Sequence, residues 1–209
     1  MTQPDGFLAI PSTGKGRALL VLHPWWGLND TTMGVCTRLA ETGFVAFAPD
    51  LYHGKLADTI PGAEALVNEL DGAQARRDVA DALAFLLERS GEPTVAVIGF
   101  SLGAYFALHL STSAPEQVHA VVVFYGTGPG DFGAARAAYL GHFAETDEFE
   151  PLEAVEALES ALRDAGRPAT FFTYPGTGHW FFEPDRTQAY NETAAKLAWD
   201  RTLEFLQFT

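Results

Sequence analysis

Short, nearly continuous apolar runs alternate along this chain with longer stretches in which apolar positions recur every three or four residues. The runs at 7–10, 17–23, 44–48, 94–98, 119–124, 137–143 and 169–173 have the length of strands. Their lack of polar alternation predicts burial on both faces. The periodic stretches predict helices. Over 73–89, Val79, Leu83, Leu86 and Leu87 fall on one face. Over 31–42 a helical pattern stops at Gly43, and over 151–165 a helix opens with Pro151 in its first turn, where a missing N–H is tolerated. A closing helix is predicted over 187–207, and a short one at about 62–70 within a long loop from Asp50 to Asp71. Alternating strands and helices predict an α/β protein with a mostly parallel central sheet and helices on both faces. No repeat, low-complexity tract or linker divides the pattern, so residues 1–209 read as one domain. The connection from Tyr125 to about Arg136 is short and glycine-rich, which leaves no room for a cap domain.

One strand–helix junction carries chemistry. It reads Gly99-Phe100-Ser101-Leu102-Gly103. Glycines on both sides of a serine permit a turn too tight for side chains, and the turn lifts the hydroxyl above the sheet as a nucleophile elbow. The plain alternative is a βα turn whose serine caps the helix. A serine hydroxyl needs a base, and the base needs a carboxylate to fix its tautomer. Of six histidines, His179 lies in the glycine-rich loop that follows the last predicted strand, where such a fold delivers its base. His109 and His119 read as structural, His142 falls inside a predicted strand, and His53, in the long loop, is placed to touch substrate. Asp147 follows the 137–143 strand and completes the chain order Ser101, Asp147, His179; Glu145, Glu148 and Glu150 are its rivals. An oxyanion hole needs two backbone N–H donors. Leu102 supplies one and Trp25 the other, because Pro24 has no N–H. Trp25, Trp26, Tyr105, Tyr125 and Trp180 cluster on these loops as candidate pocket walls, with core packing the alternative for each.

Charge narrows the partners. The 13 Lys and Arg against 27 Asp and Glu leave a net −14, which repels nucleic acid and anionic membranes. Acidic residues such as Glu153, Glu156 and Glu159 lie on a helix and read as a solvated face. No apolar run is long enough to span a bilayer and no signal segment is visible, so a cytoplasmic location is expected. The single cysteine, Cys36, excludes an internal disulfide and reads as packed within a helix. No His, Asp and Cys spacing reads as a metal-ligand set, and no cofactor is expected.

Taken together, these residues resemble the dienelactone hydrolase family of α/β-hydrolases. The likeness rests on His-Pro-Trp-Trp-Gly at 23–27, Ala-Pro-Asp-Leu-Tyr at 48–52, the elbow at 99–103, Asp147, the run 178–186 and Ala198-Trp199. It implies a single-domain α/β-hydrolase, a cofactor-free hydrolase of esters or lactones whose partner is a small-molecule substrate; a monomer or small homo-oligomer is expected. Cysteine is often the nucleophile in this family, with a glutamate after the oxyanion-loop histidine; this chain has Ser101 and Pro24 there. The family's dienelactone-cleaving members hold the substrate carboxylate with arginines. Between Arg38 and Arg76 this chain has only Lys55, and four residues past His179 it has Glu183, with Arg186 reading as structural. The expected reaction is therefore hydrolysis of a neutral ester or lactone through an acyl-enzyme. Dienelactone cleavage proper, acyl transfer or perhydrolysis, and a catalytically silent binding protein stand as alternatives.

Overall fold

The computed structural model describes residues 2–209. Its strands are β1 Gly6–Ala9, β2 Arg17–Leu22, β3 Phe44–Pro49, β4 Val95–Phe100, β5 Val118–Phe124, β6 Ala138–Ala144 and β7 Ala169–Tyr174. Its helices are α1 Asp30–Glu41, α2 Ile60–Glu69, α3 Gly72–Ser90, α4 Leu102–Ser113, α5 Leu152–Asp164 and α6 Glu192–Phe208. The strands form one sheet in the order β1-β3-β2-β4-β5-β6-β7. All neighbours are parallel except β1, which pairs antiparallel with β3 at one edge. This is an α/β-hydrolase architecture, and only the short 125–137 connection joins β5 to β6, with no inserted cap.

The apolar strands bury both faces because each face carries its own helices. In β2, Ala18, Leu20 and Leu22 pack with Val79, Leu83 and Leu86 of α3. Leu19 and Val21 point the other way, into a cluster with Val35, Cys36 and Leu39 of α1 and Ala198 of α6. Local signals set the helix ends. The Asn29 side chain accepts from the Thr32 N–H to start α1, and Asp71 accepts from the Ala73 and Gln74 amides to start α3, which stops at Gly91 in the left-handed region. The short helix expected in the long loop starts two residues earlier than its pattern suggests, because Thr59 caps it and Pro61 fits its first turn.

The closing helix differs from the sequence expectation. It begins at Glu192, not 187, because Asn191 caps it by accepting from Ala194 N–H. The preceding amides are spent on a series of turns: Ala189 and Tyr190 donate to the Arg186 carbonyl, and Asn191 to that of Phe181. These turns continue the loop that carries His179. No helix among the described residues is long and apolar enough to cross a membrane.

Candidate active site

Ser101 stands at the C-terminal end of β4, flanked in the sheet by β2 and β5. Its backbone is at φ 48°, ψ −112°, a conformation that costs a side-chain-bearing residue about 1–3 kcal/mol. Neighbouring backbone enforces it. The Ser101 N–H donates to the Phe124 carbonyl at 2.9 Å, and Ala104 N–H donates back to the Ser101 carbonyl at 2.8 Å. A Cβ at Gly99 would fall on the Gly103 carbonyl, and one at Gly103 would fall on that of Leu22. The two glycines of the motif are thus required by close packing.

His179 Nε2 lies 3.0 Å from Ser101 Oγ. Its Nδ1–H donates to Asp147, with Oδ2 at 2.7 Å and Oδ1 at 2.9 Å. Both side chains are 5% exposed, so the pair is shielded from water and its hydrogen bond is little screened. With Nδ1 carrying the proton, the Nε2 lone pair is left for the serine hydroxyl. Asp147 is itself held by the Phe149 and Glu150 amides, each donating to Oδ1 at 2.9 Å. The rival carboxylates brace the loops instead. Glu145 accepts from the Gly176 N–H at 2.8 Å in the histidine loop. Glu150 accepts from the Thr127 N–H and hydroxyl after β5. Glu148 is exposed.

The Trp25 and Leu102 backbone N–H groups donate to no other described residue. The loop bearing Trp25 is fixed by His23, which is fully buried. His23 Nδ1–H donates to the Pro24 carbonyl at 2.7 Å and Nε2 accepts from Leu51 N–H at 3.1 Å. One neutral tautomer satisfies both bonds, and burial pushes the imidazole's pKa down, which keeps it neutral.

Aromatic rings enclose His179. Tyr125, Phe149 and Trp180 lie with centroids 4.9, 5.1 and 5.0 Å from the imidazole. Trp25 stacks on Trp180 at 5.9 Å and meets Phe149 edge-on at 5.4 Å. Trp25 and Trp180 are half-buried and can face a ligand, as can Tyr105 on α4. Two expected pocket walls prove to be core. Trp26 is 1% exposed beneath the Arg186 guanidinium, and Tyr125 is fully buried, its hydroxyl donating to Glu183 Oε1 at 2.8 Å. His53 is displaced from the site: it is exposed beside Asp5 and Asp78 and lines a separate groove that contains no member of the Ser101–His179–Asp147 set.

Three residues have a part in the site that the sequence does not assign to them. Phe149, 42% exposed, was legible as a large apolar side chain in an acidic loop. His23 had the signal of a histidine entering the tryptophan loop. Glu183 had none, since a lone carboxyl in a turn normally faces water. Here it is buried, which pushes its pKa up to about 8. Cys36 is buried, with its thiol pushed up to about 12, so it is unreactive. Among the described residues no group of three or more His, Cys, Asp or Glu is arranged to hold a metal ion.

Between the acid loop and the histidine loop lies an open groove of about 440 Å³, bordered by Glu145, Glu148, Phe149, His179 and Trp180. It carries two carboxylates and no cation. The two cations weighed from the sequence for holding an anion are engaged elsewhere: Lys55 pairs with Glu69 at 2.8 Å, and Arg186 lies on Trp26 and pairs with Asp185. A hydroxyl bonded to a carboxylate-backed imidazole, beside two unpaired amide donors, can attack an electrophilic carbonyl and hold the resulting oxyanion.

Residues 5–209 match the profile of the dienelactone hydrolase family. Protein usf of Aquifex pyrophilus is 32% identical over 215 aligned residues, covering 97% of this chain and 92% of its own length. A protein of Aquifex aeolicus provisionally named carboxymethylenebutenolidase is 31% identical, with the same coverage. The crystal structure of a provisionally assigned dienelactone hydrolase from Klebsiella pneumoniae superimposes with a TM-score of 0.81 at 25% identity, covering 93% of this chain and 89% of its own.

Proposed function

This chain belongs to the dienelactone hydrolase family, and from that premise we propose that it is a serine hydrolase of neutral carboxylic esters or lactones. The observation that carries the proposal is the unbroken hydrogen-bond line from Asp147 through His179 to Ser101. In the proposed reaction His179 Nε2 takes the hydroxyl proton as Ser101 Oγ attacks the acyl carbonyl. The Trp25 and Leu102 amides hold the oxyanion, each donor contributing roughly 3 kcal/mol. His179 then protonates the leaving alkoxide, and in the second half-reaction it activates the water that frees the acid and restores Ser101. Asp147 stabilises the imidazolium in both halves and is not itself protonated.

The charge around His179 supports neutral substrates, although the groove beside it does not include Ser101. Glu145 and Glu148 repel a carboxylate, and no unpaired cation borders the groove to offset them. Trp25, Trp180 and Phe149 favour an apolar or aromatic group next to the ester. The Aquifex aeolicus relative's name favours dienelactone cleavage as a second reading. The deciding experiment is fluorophosphonate labelling with turnover of short p-nitrophenyl esters and of a dienelactone, alongside Ser101→Ala. Labelling and ester turnover, both lost in the alanine variant, are expected. Neither labelling nor turnover in the wild type would sink the serine-hydrolase reading. Dienelactone turnover faster than that of the neutral esters would show that this site accepts a carboxylate-bearing substrate without arginines to hold it.

A further inference from the structure

The reaction above leaves one buried ionisable group without a task. Glu183 is 2% exposed and lies in the turn four residues past His179. Tyr125 donates to its Oε1, while its Oε2 has no hydrogen-bond partner among the described residues. The Trp26 indole N–H approaches the carboxyl from the oxyanion loop but falls short of a full hydrogen bond. Glu183 also lines a small, water-sized cavity with Pro24, Thr31, Thr32 and Phe100. It therefore sits where the histidine loop, the end of β5 and the oxyanion loop meet.

An apolar side chain of similar size would fill this place at lower cost in stability, because a buried carboxyl is penalised whether or not it ionises. What the carboxyl reaches through its one strong bond is the Tyr125 ring, and that ring lies 4.9 Å from the imidazole of His179. Tyr125 is held there with a backbone φ of 36°, one of four residues other than glycine with positive φ; Ser101 and Trp180 are two of the others. Strain concentrated in this way marks a position that the surroundings over-determine.

Resting on the serine-hydrolase reading, we propose that Tyr125 and Glu183 form a second support for the imidazolium that His179 becomes during attack. Asp147 acts in the ring plane through Nδ1. Tyr125 acts through ring contact, and the Glu183 carboxylate behind it supplies negative charge and polarises the phenol toward the cation. Glu183 touches no reacting atom and exchanges no proton with the substrate; it is a positioning residue acting through Tyr125. The charged groups facing this pair are Asp147 from the acid loop and Asp185 and Arg186 from the same turn. Asp185 and Arg186 pair with each other at 2.9 Å and largely cancel. The support is strongest when Glu183 is ionised, so burial places its onset in the mildly alkaline range.

The test is the pH profile of p-nitrophenyl butyrate hydrolysis from about pH 6 to 9.5, with the Ser101→Ala rate subtracted as the blank. In the wild type kcat is expected to rise about tenfold through a step near pH 8, the scale of one charge acting across a single ring in a partly shielded site. Glu183→Gln loses this step, with KM unchanged and kcat held at the value below it. Tyr125→Phe keeps the ring but breaks the link, and is expected to lose the step as well; it carries the test alone if the glutamine variant fails to fold by near-ultraviolet circular dichroism. A step that persists in the variants overturns the inference and leaves the serine-hydrolase reading intact. An equal loss of kcat at every pH marks a packing role and also overturns it. A wild type that neither labels with fluorophosphonate nor turns over ester removes both readings together.

Discussion

Glu183→Gln changes the protein's stability in a way that pH reveals. Glutamine keeps the shape of the side chain and can still accept from the Tyr125 hydroxyl, but it cannot ionise. In the folded protein burial raises the Glu183 carboxyl from 4.5 to about 8. Below about pH 4.5 both the folded and the unfolded chain hold the proton, and the contribution of this group is fully present. As pH rises the unfolded chain releases the proton first. Folding then loses about 1.4 kcal/mol for each pH unit until the folded carboxyl also ionises. Across the interval from 4.5 to about 8 the loss reaches roughly 5 kcal/mol, an upper bound because water entering the adjoining cavity would soften it. The glutamine variant escapes this loss. Thermal unfolding of the two proteins at matched scan rates should therefore give close Tm values near pH 5 and a gap in favour of the variant that widens toward about pH 8.5. For a chain of this size the gap is on the order of 10 °C. A gap that stays constant with pH would mean that the folded protein does not hold this proton, and the burial argument would fail.

Other substitutions probe the rest of the site. Asp147→Asn should lower kcat by about 10⁴ with little change in KM, because the amide no longer fixes the Nδ1–H tautomer of His179; steady-state kinetics reads this, and a loss below tenfold would reassign the acid. Gly103→Ala drives a Cβ onto the Leu22 carbonyl and should destabilise by about 3 kcal/mol or more, so a wild-type Tm would contradict the packing described for the elbow. Phe149→Ala removes a ring that is 42% exposed; it should leave Tm within a few degrees while raising KM for aryl esters about tenfold, and unchanged KM would remove Phe149 from the substrate surface.

The Ser101, Asp147 and His179 grouping was legible because each residue follows an apolar run long enough to be a strand. Parallel strands deliver their following loops to the same edge of the sheet. The glycines at 99 and 103 also announced a close approach of backbone, which proved to be to each other and to β2. Burial of the aromatic residues was not legible. Trp25 and Trp26 are adjacent in sequence, yet one is half-buried at the site and the other is sealed beneath Arg186. A two-residue loop stretch has no periodicity to separate them, so tertiary packing decides. Tyr125 turned inward for a similar reason: its partner Glu183 lies 58 residues away and has no local signature. Strand spacing favours Asp147 over Glu145, Glu148 and Glu150; Glu145 and Glu150 are loop braces and Glu148 is exposed. The start of α6 is not legible because the apolar pattern runs on through turns whose amides are committed to Arg186 and Phe181.

The order of strands across the sheet gives the candidate site two mechanical halves. Ser101 grows from β4, with strands on both sides, and its amide is bonded to β5. The loop of His179 hangs from β7, the edge strand, in which every residue but Tyr174 is part-buried or exposed. Local opening begins where backbone hydrogen bonds are few and solvent is near. The amides of the elbow should exchange with solvent only when the whole sheet opens, whereas those of the histidine loop can exchange through excursions confined to the edge. Inactivation is then expected to precede unfolding on mild heating, with ester turnover lost while near-ultraviolet circular dichroism of the core is unchanged, and regained on cooling; coincident loss of both would show that the edge and the elbow open as one unit.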